Sequence, residues 1–181
     1  MPFTFERTDV DGTVLIKPRV WGDERGFFME AFSSKDFQLA GLQMEIVQIN
    51  HSRSVKGVLR GLHFQRPPFE QAKLVRCIGG EILDVVADIR AESATYGKHF
   101  STSLSDSNRC LLYVPRGFAH GFLVLSDVGE VEYAVDNLYA PDYEGGVIWN
   151  DPELNIKWPV ANPILSKKDA TWPRLSQLNP R

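Results

Sequence analysis

The stretch KLVRCIGGEILDVVADIR, residues 73–90, sets the terms on which the rest of the chain is read. Two runs rich in apolar and β-branched residues flank Gly79-Gly80, and a glycine pair between such runs predicts a hairpin turn. In the second run, Asp84 and Asp88 share one face with Ile82 and Val86, while Leu83, Val85, Ala87 and Ile89 form the other. Similar runs recur outward in both directions: TVLIKPRVW (13–21), EIVQIN (45–50), GVLRGLHF (57–64), HFSTSLS (99–105), RCLLYV (109–114), FLVLS (122–126) and EVEYAV (130–135). Glycine, proline, asparagine and serine separate them. SSKDFQLAG (33–41) reads instead as a short helix, with a serine cap, an apolar Phe37/Leu39 pair and a closing Gly41. Many closely spaced strands with little helix predict an all-β antiparallel sandwich or barrel.

The 181 residues favour one domain, spanning 1–181, with a substantial core. Twenty basic and 23 acidic side chains leave a net charge of -3, so nothing overall points to nucleic acid or an anionic membrane. No run approaches the ~20 apolar residues of a membrane span. The N-terminal MPFTFERTDVDG has neither a basic leader nor a long apolar run, so no signal peptide is expected. Cys77 and Cys110 sit in apolar surroundings and are expected as two buried free thiols in a cytoplasmic protein.

Polar residues recur on otherwise apolar strands: His63, Lys73, Asp84, Asp88 and Tyr133. Taken singly, each is expected on a solvated outer face. Taken together, they also fit a small barrel whose lumen binds a polar ligand. Strict alternation puts Arg60 and His63 on opposite faces, with Gly61 between them. A bulge at that glycine would aim both side chains into one cavity; otherwise Arg60 is a surface residue and His63 a core histidine.

PRGFAH (115–120) fits the P-x-G-x-x-H pattern of the second cupin motif, and Gly57, His63, Gln65 and Glu70 resemble the first. Gln65 stands where that motif has a second histidine, and an amide oxygen is a poorer ligand than imidazole for the usual metals. No metal is therefore expected. Across the chain, GDERGFFMEAF (22–32), QINHSRS (48–54), GVLRGLHFQ (57–65), AKLVRC (72–77), PRGFAHGF (115–122), VEYAVDNLYAPDYEGGVIWND (131–151) and LSKKDA (165–170) follow in order. Together they resemble the dTDP-4-dehydrorhamnose 3,5-epimerase family, metal-free cupins of jelly-roll fold with a few short helices.

That resemblance implies a homodimer acting on dTDP-4-dehydro-6-deoxy-D-glucose with no cofactor. The C4 ketone makes the C3 and C5 hydrogens α to a carbonyl. Inversion then needs a base on one face, an acid on the other and a stabilised enolate between them. By resemblance His63 is the base, Asp169 orients it, and Tyr133 returns the proton. Lys73 is placed near the enolate oxygen and His120 at the sugar. Arg25, Arg60 and Lys168 match positions for the anionic part of the substrate. Tyr139 matches the tyrosine that stacks on thymine, with Phe27 helping to enclose the nucleotide. Glu30, Gln48, Asn50 and Glu144 match polar substrate-binding positions. The N-terminal segment is expected to cross to the partner subunit, where Arg25, Phe27 and Glu30 complete the neighbour's site.

Three rival readings stand beside this one. A relative could invert only C3 or C5. A metal-dependent cupin oxygenase could use His63, Gln65, Glu70 and His120. A non-catalytic sugar-binding cupin would not require the acid–base set His63, Asp169 and Tyr133.

Overall fold

The computed structural model describes residues 1–178; residues 179–181, part of the domain expected over 1–181, lie outside the described residues. The strands are β1 (Phe3–Arg7), β2 (Val14–Pro18), β3 (Val20–Asp23), β4 (Gly26–Met29), β5 (Gln48–Val55), β6 (Leu59–Gln65), β7 (Lys73–Gly79), β8 (Glu81–Asp88), β9 (His99–Ser105), β10 (Leu111–Val114), β11 (Phe118–Val124), β12 (Val128–Val135) and β13 (Glu144–Gly146). Two short helices, α1 (Ser34–Leu39) and α2 (Leu175–Leu178), lie outside the sheets. One sheet runs β1-β2-β10-β7-β12-β5 and a second β13-β6-β11-β8-β9, while β3 and β4 form a separate two-stranded hairpin. The strand pairs within the sheets are antiparallel, the jelly-roll arrangement expected. No helix among the described residues is long and apolar enough to cross a membrane.

The predicted hairpin across Gly79-Gly80 is not one. β7 pairs with β10 and β12, whereas β8 pairs with β11 and β9. The turn carries the chain from one sheet to the other. Gly80, at φ +74°, bonds both ways to Asp106 in the loop after β9: its N–H donates to Oδ2 and its carbonyl accepts from the Asp106 N–H. The two runs therefore face each other across the core, and Val75 and Cys77 pack with Ile82 and Val86 between the sheets.

Outer layers complete the burial. Phe37 of α1 and Leu42 cover Phe3, Ile16, Leu74 and Leu111 on the six-stranded sheet. Ser33 caps α1 by accepting from the Asp36 N–H. Leu39, expected to pair with Phe37, is exposed instead, because positions two apart lie on different helix faces. On the other sheet, Leu154 and Leu175 cover Leu62, Val85, Ala119 and Val147. Both cysteines are free, though Cys110 is only partly buried.

The solvated outer face expected for single polar strand residues is overturned. Asp84 and Asp88 are 0% exposed and Lys73 is 9% exposed. The alternation along β8 holds, but the face shared with Ile82 and Val86 points into the sandwich. Asp88 serves the fold: its carboxylate accepts from Arg90, Ser93 and Thr95.

Candidate active site

The strand β6 carries the bulge that its sequence left open. His63 lies opposite His120 on β11, but Arg60 lies opposite Phe122, so β6 spends three residues where β11 spends two. Gly61 sits in the irregularity at φ +128°, and a Cβ there would come within 2.5 Å of Gly121 Cα. Only glycine fits. Directly opposed residues share a face of the sheet, and Phe122 belongs to the inter-sheet core. Arg60 and His63 thus share the inward face, His63 half-buried in it and Arg60 still exposed to solvent.

A cavity of about 280 Å³ opens between the sheets, lined by Gln48, Asn50, His63, Phe64, Gln65, Gln71, Lys73, Tyr133, Tyr139 and Glu144. The six-stranded sheet supplies Gln48 and Asn50 from β5, Lys73 from β7 and Tyr133 from β12. The five-stranded sheet supplies His63 and Gln65 from β6 and Glu144 from β13. Register aligns the first group: Tyr133 lies opposite Asn50, and Val135 opposite both Gln48 and Lys73.

Asp169 reaches His63 because the C-terminal segment is tied to the start of β6. The Ile164 N–H donates to the Gly57 carbonyl, and the Leu59 N–H donates to the Ile164 carbonyl. The chain then turns at Ser166, whose hydroxyl donates to Asp169 Oδ2 at 2.8 Å and accepts from the Asp169 N–H at 3.0 Å. Asp169 Oδ1 meets His63 Nε2 in a short hydrogen bond, and the Trp172 Nε1–H donates to the same oxygen at 3.3 Å. Burial pushes the Asp169 carboxyl up, but the hydrogen bonds and charge of His63, with Ser166 and Trp172, hold it below its usual value. An ionised carboxylate on Nε2 fixes the proton there and leaves Nδ1 as the basic nitrogen.

The remaining groups are tuned by burial. Desolvation lowers Lys73 to about 8, against the opposing pull of Asp84 and Glu144. Desolvation raises the Tyr133 phenol, with Arg60 lowering it and Glu144 adding to the rise. Tyr133 is therefore a neutral donor near pH 7. Behind the cavity, His120 Nε2 lies 3.0 and 2.9 Å from the two oxygens of Asp84, both residues buried. At the mouth, the Tyr139 hydroxyl donates to Glu144 Oε2 at 2.8 Å, and Lys168 Nζ contacts the same oxygen. The Glu144 hydrogen bond raises Tyr139. Burial raises Glu144, but Lys168 and Tyr139 outweigh it and leave its carboxyl low.

Gln65 has a different task from a metal ligand. Its Oε1 accepts from the Ala140 N–H at 2.7 Å, and its Nε2 donates to the carbonyls of Phe69 and Leu138 at 2.6 and 3.2 Å. The amide latches the loop that carries Tyr139. No group of three His, Cys, Asp or Glu side chains that could hold a metal exists among the described residues.

Of the residues singled out from sequence, His63, Asp169, Tyr133, Lys73, Gln48, Asn50, Tyr139, Glu144 and Lys168 come together, with His120 one layer behind. Arg60 lies on the same inward face, held by its Nε–H donating to Ser54 Oγ at 3.0 Å. Arg25, Phe27 and Glu30 do not join them within this chain. Arg25 is paired with Asp23 in the turn of the β3–β4 hairpin, and Phe27 is 57% exposed with the Arg109 guanidinium 4.1 Å from its ring centroid. Phe64, Gln71, Ser166 and Trp172 were missed. The Ser-x-x-Asp spacing of Ser166 and Asp169 was a usable turn signal; nothing in the sequence pattern marks Trp172.

Fold and site define a jelly-roll protein with a carboxylate-backed histidine on one sheet facing a phenol and a buried ammonium on the other. The family model described as dTDP-4-dehydrorhamnose 3,5-epimerase matches residues 7–177, and the chain belongs to that family. It is 52% identical to the dTDP-4-dehydrorhamnose 3,5-epimerase of Shigella flexneri, over 90% of this chain and 91% of the relative. The crystal structure of the Elizabethkingia anophelis enzyme of the same name superposes with a TM-score of 0.93 at 42% identity, covering 98% of each chain. The Legionella pneumophila dTDP-6-deoxy-D-glucose-3,5-epimerase, solved with dTDP-4-keto-L-rhamnose, gives 0.93 at 41% identity, covering 98% of this chain and 95% of that one.

Proposed function

We infer that this chain is an isomerase that inverts C3 and C5 of dTDP-4-dehydro-6-deoxy-D-glucose, giving dTDP-4-dehydro-L-rhamnose. One observation carries the mechanism: His63 and Tyr133 line the same cavity from opposite sheets. With Nε2 engaged by Asp169, Nδ1 of His63 takes the proton α to the C4 ketone. The C–H electron pair becomes the enolate π bond, and the negative charge passes to the C4 oxygen. Lys73, largely protonated at pH 7, stabilises that charge in a low-dielectric setting. Tyr133 then gives its phenolic proton to the opposite face of the carbon, and solvent resets both groups. Repeating the cycle at the second α carbon completes the double inversion.

The diphosphate calls for cations and the thymine for an aromatic surface. Lys168 and Arg60 with Tyr139 answer from this chain. We propose that the remainder comes from a second copy, in a homodimer where the β3–β4 hairpin brings Arg25, Phe27 and Glu30 to its neighbour's cavity. The exposed Val20, Trp21, Phe27 and Phe28 on that hairpin support this reading. Residues 1–181 are taken as one domain, since segments near both ends cover the same sandwich. Two free cysteines fit a reducing compartment such as the cytoplasm.

The deciding experiment incubates the protein with the 4-keto sugar nucleotide and traps the product with a ketoreductase. Proton NMR is expected to show two inverted centres. One inverted centre would make the chain a single-centre epimerase, and none would remove the epimerase reading.

A further inference from the structure

Trp172 touches the His63–Asp169 pair at two points. Its indole N–H reaches Asp169 Oδ1, the oxygen that meets His63 Nε2. Its ring stands edge-on to the imidazole, with centroids 6.1 Å apart and planes at 72°. The space it occupies is made by β13. Gly146 lies directly opposite His63, so a side chain there would project on the same face, beside the imidazole. A Cβ at Gly146 would stand 2.4 Å from the indole ring, well inside van der Waals contact. The indole fills the room that any other residue at 146 would take.

We infer that Trp172, seated in the slot left by Gly146, is a positioning residue for the His63–Asp169 pair. This rests on the epimerase reading above. Ser166 holds Oδ2 of the carboxylate, and Trp172 holds Oδ1 together with His63. Donors on both oxygens prevent the carboxylate from rotating away from the imidazole. The indole edge restricts the ring itself. The indole N–H also neutralises part of the carboxylate charge, which sets how strongly the pair retains a proton.

Trp172→Phe keeps a ring in the slot and deletes the donor. In that variant kcat is expected to fall about tenfold, the scale of one hydrogen bond to a charged group. Binding of dTDP should be unchanged. The acid limb of the kcat/KM profile, which belongs to the coupled pair, should move to higher pH, because a less neutralised carboxylate holds the pair's proton more firmly. A folded Trp172→Phe protein with wild-type kcat and an unmoved acid limb overturns the proposal. A second measurement does not depend on that variant folding. The indole N–H resonance of Trp172 is compared between the otherwise unaltered chain and Asp169→Ala. An upfield shift with faster hydrogen exchange is expected, and an identical signal overturns the contact. Absence of epimerisation in the unaltered chain would count against the epimerase reading instead, leaving the resonance comparison to judge Trp172.

Discussion

His63 on β6 and Tyr133 on β12 belong to different sheets and line one cavity between them. On the proposed mechanism, a planar enolate held in that cavity would present one face to each. The proposed base and the proposed acid are therefore separate groups, and removing one leaves the other in place.

Tyr133→Phe preserves the ring and deletes the donor. His63 can still take a proton and return one to the same face. In heavy water the variant is expected to incorporate deuterium while forming far less inverted product, read by substrate mass and product stereochemistry together. Wild-type inversion at both carbons would exclude Tyr133 as the acid and turn attention to Lys73 or water.

His63→Ala removes the proposed base and leaves the proposed nucleotide contacts of Lys168, Arg60 and Tyr139. Turnover should drop by about 10² to 10⁴, the usual contribution of a general base. Calorimetric titration with dTDP should give an affinity close to that of the unaltered chain. Deuterium exchange at the wild-type rate would show that another group abstracts the proton.

Lys73 predicts a trade between stability and activity. Its pKa falls from 10.5 unfolded to about 8 folded, so between those values the unfolded chain binds more protons and stability rises with pH. Below about pH 8 the full cost of burying the cation applies; above 10.5 none of it does. A displacement of that size corresponds to roughly 3 kcal/mol. Lys73→Met should gain up to that amount at pH 7, less at pH 10, and lose most of its turnover. Urea melts at the two pH values check this. A variant less stable at pH 7 than the unaltered chain would mean that Asp84 and Glu144 need the cation more than burial opposes it.

Gln65 predicts independence from metal. Its amide oxygen is committed to Ala140 N–H and its nitrogen to two carbonyls. Dialysis against a chelator should leave epimerisation intact, whereas Gln65→Ala should weaken dTDP binding by loosening the loop of Tyr139. Activity lost to the chelator and restored by one metal would overturn the side-chain mechanism.

Local chemistry made much of this legible in the residue order. Alternation predicted β-rich sheets and matched β9 over His99–Ser105; the serine cap and closing glycine marked α1. Ordered motifs named the family and nominated His63, Tyr133 and Asp169. Alternation assigns residues to two faces, however, without saying which face is covered. Only the second sheet made the face of Asp84 and Lys73 an interior. Pairing is likewise non-local: Gly79-Gly80 promises a reversal, but β7 pairs with β10 and β12 and β8 with β9 and β11, never with each other, which turned a hairpin into a crossing between sheets. The glycine in β6 permitted a bulge, and its packing against Gly121 produced one. Asp169 meets His63 across 106 positions because Ile164 is stitched to β6, and Trp172 joins them because Gly146 leaves a space. Contacts of that kind arise from backbone register and vacant volume, quantities that exist only once the sheets have closed on each other.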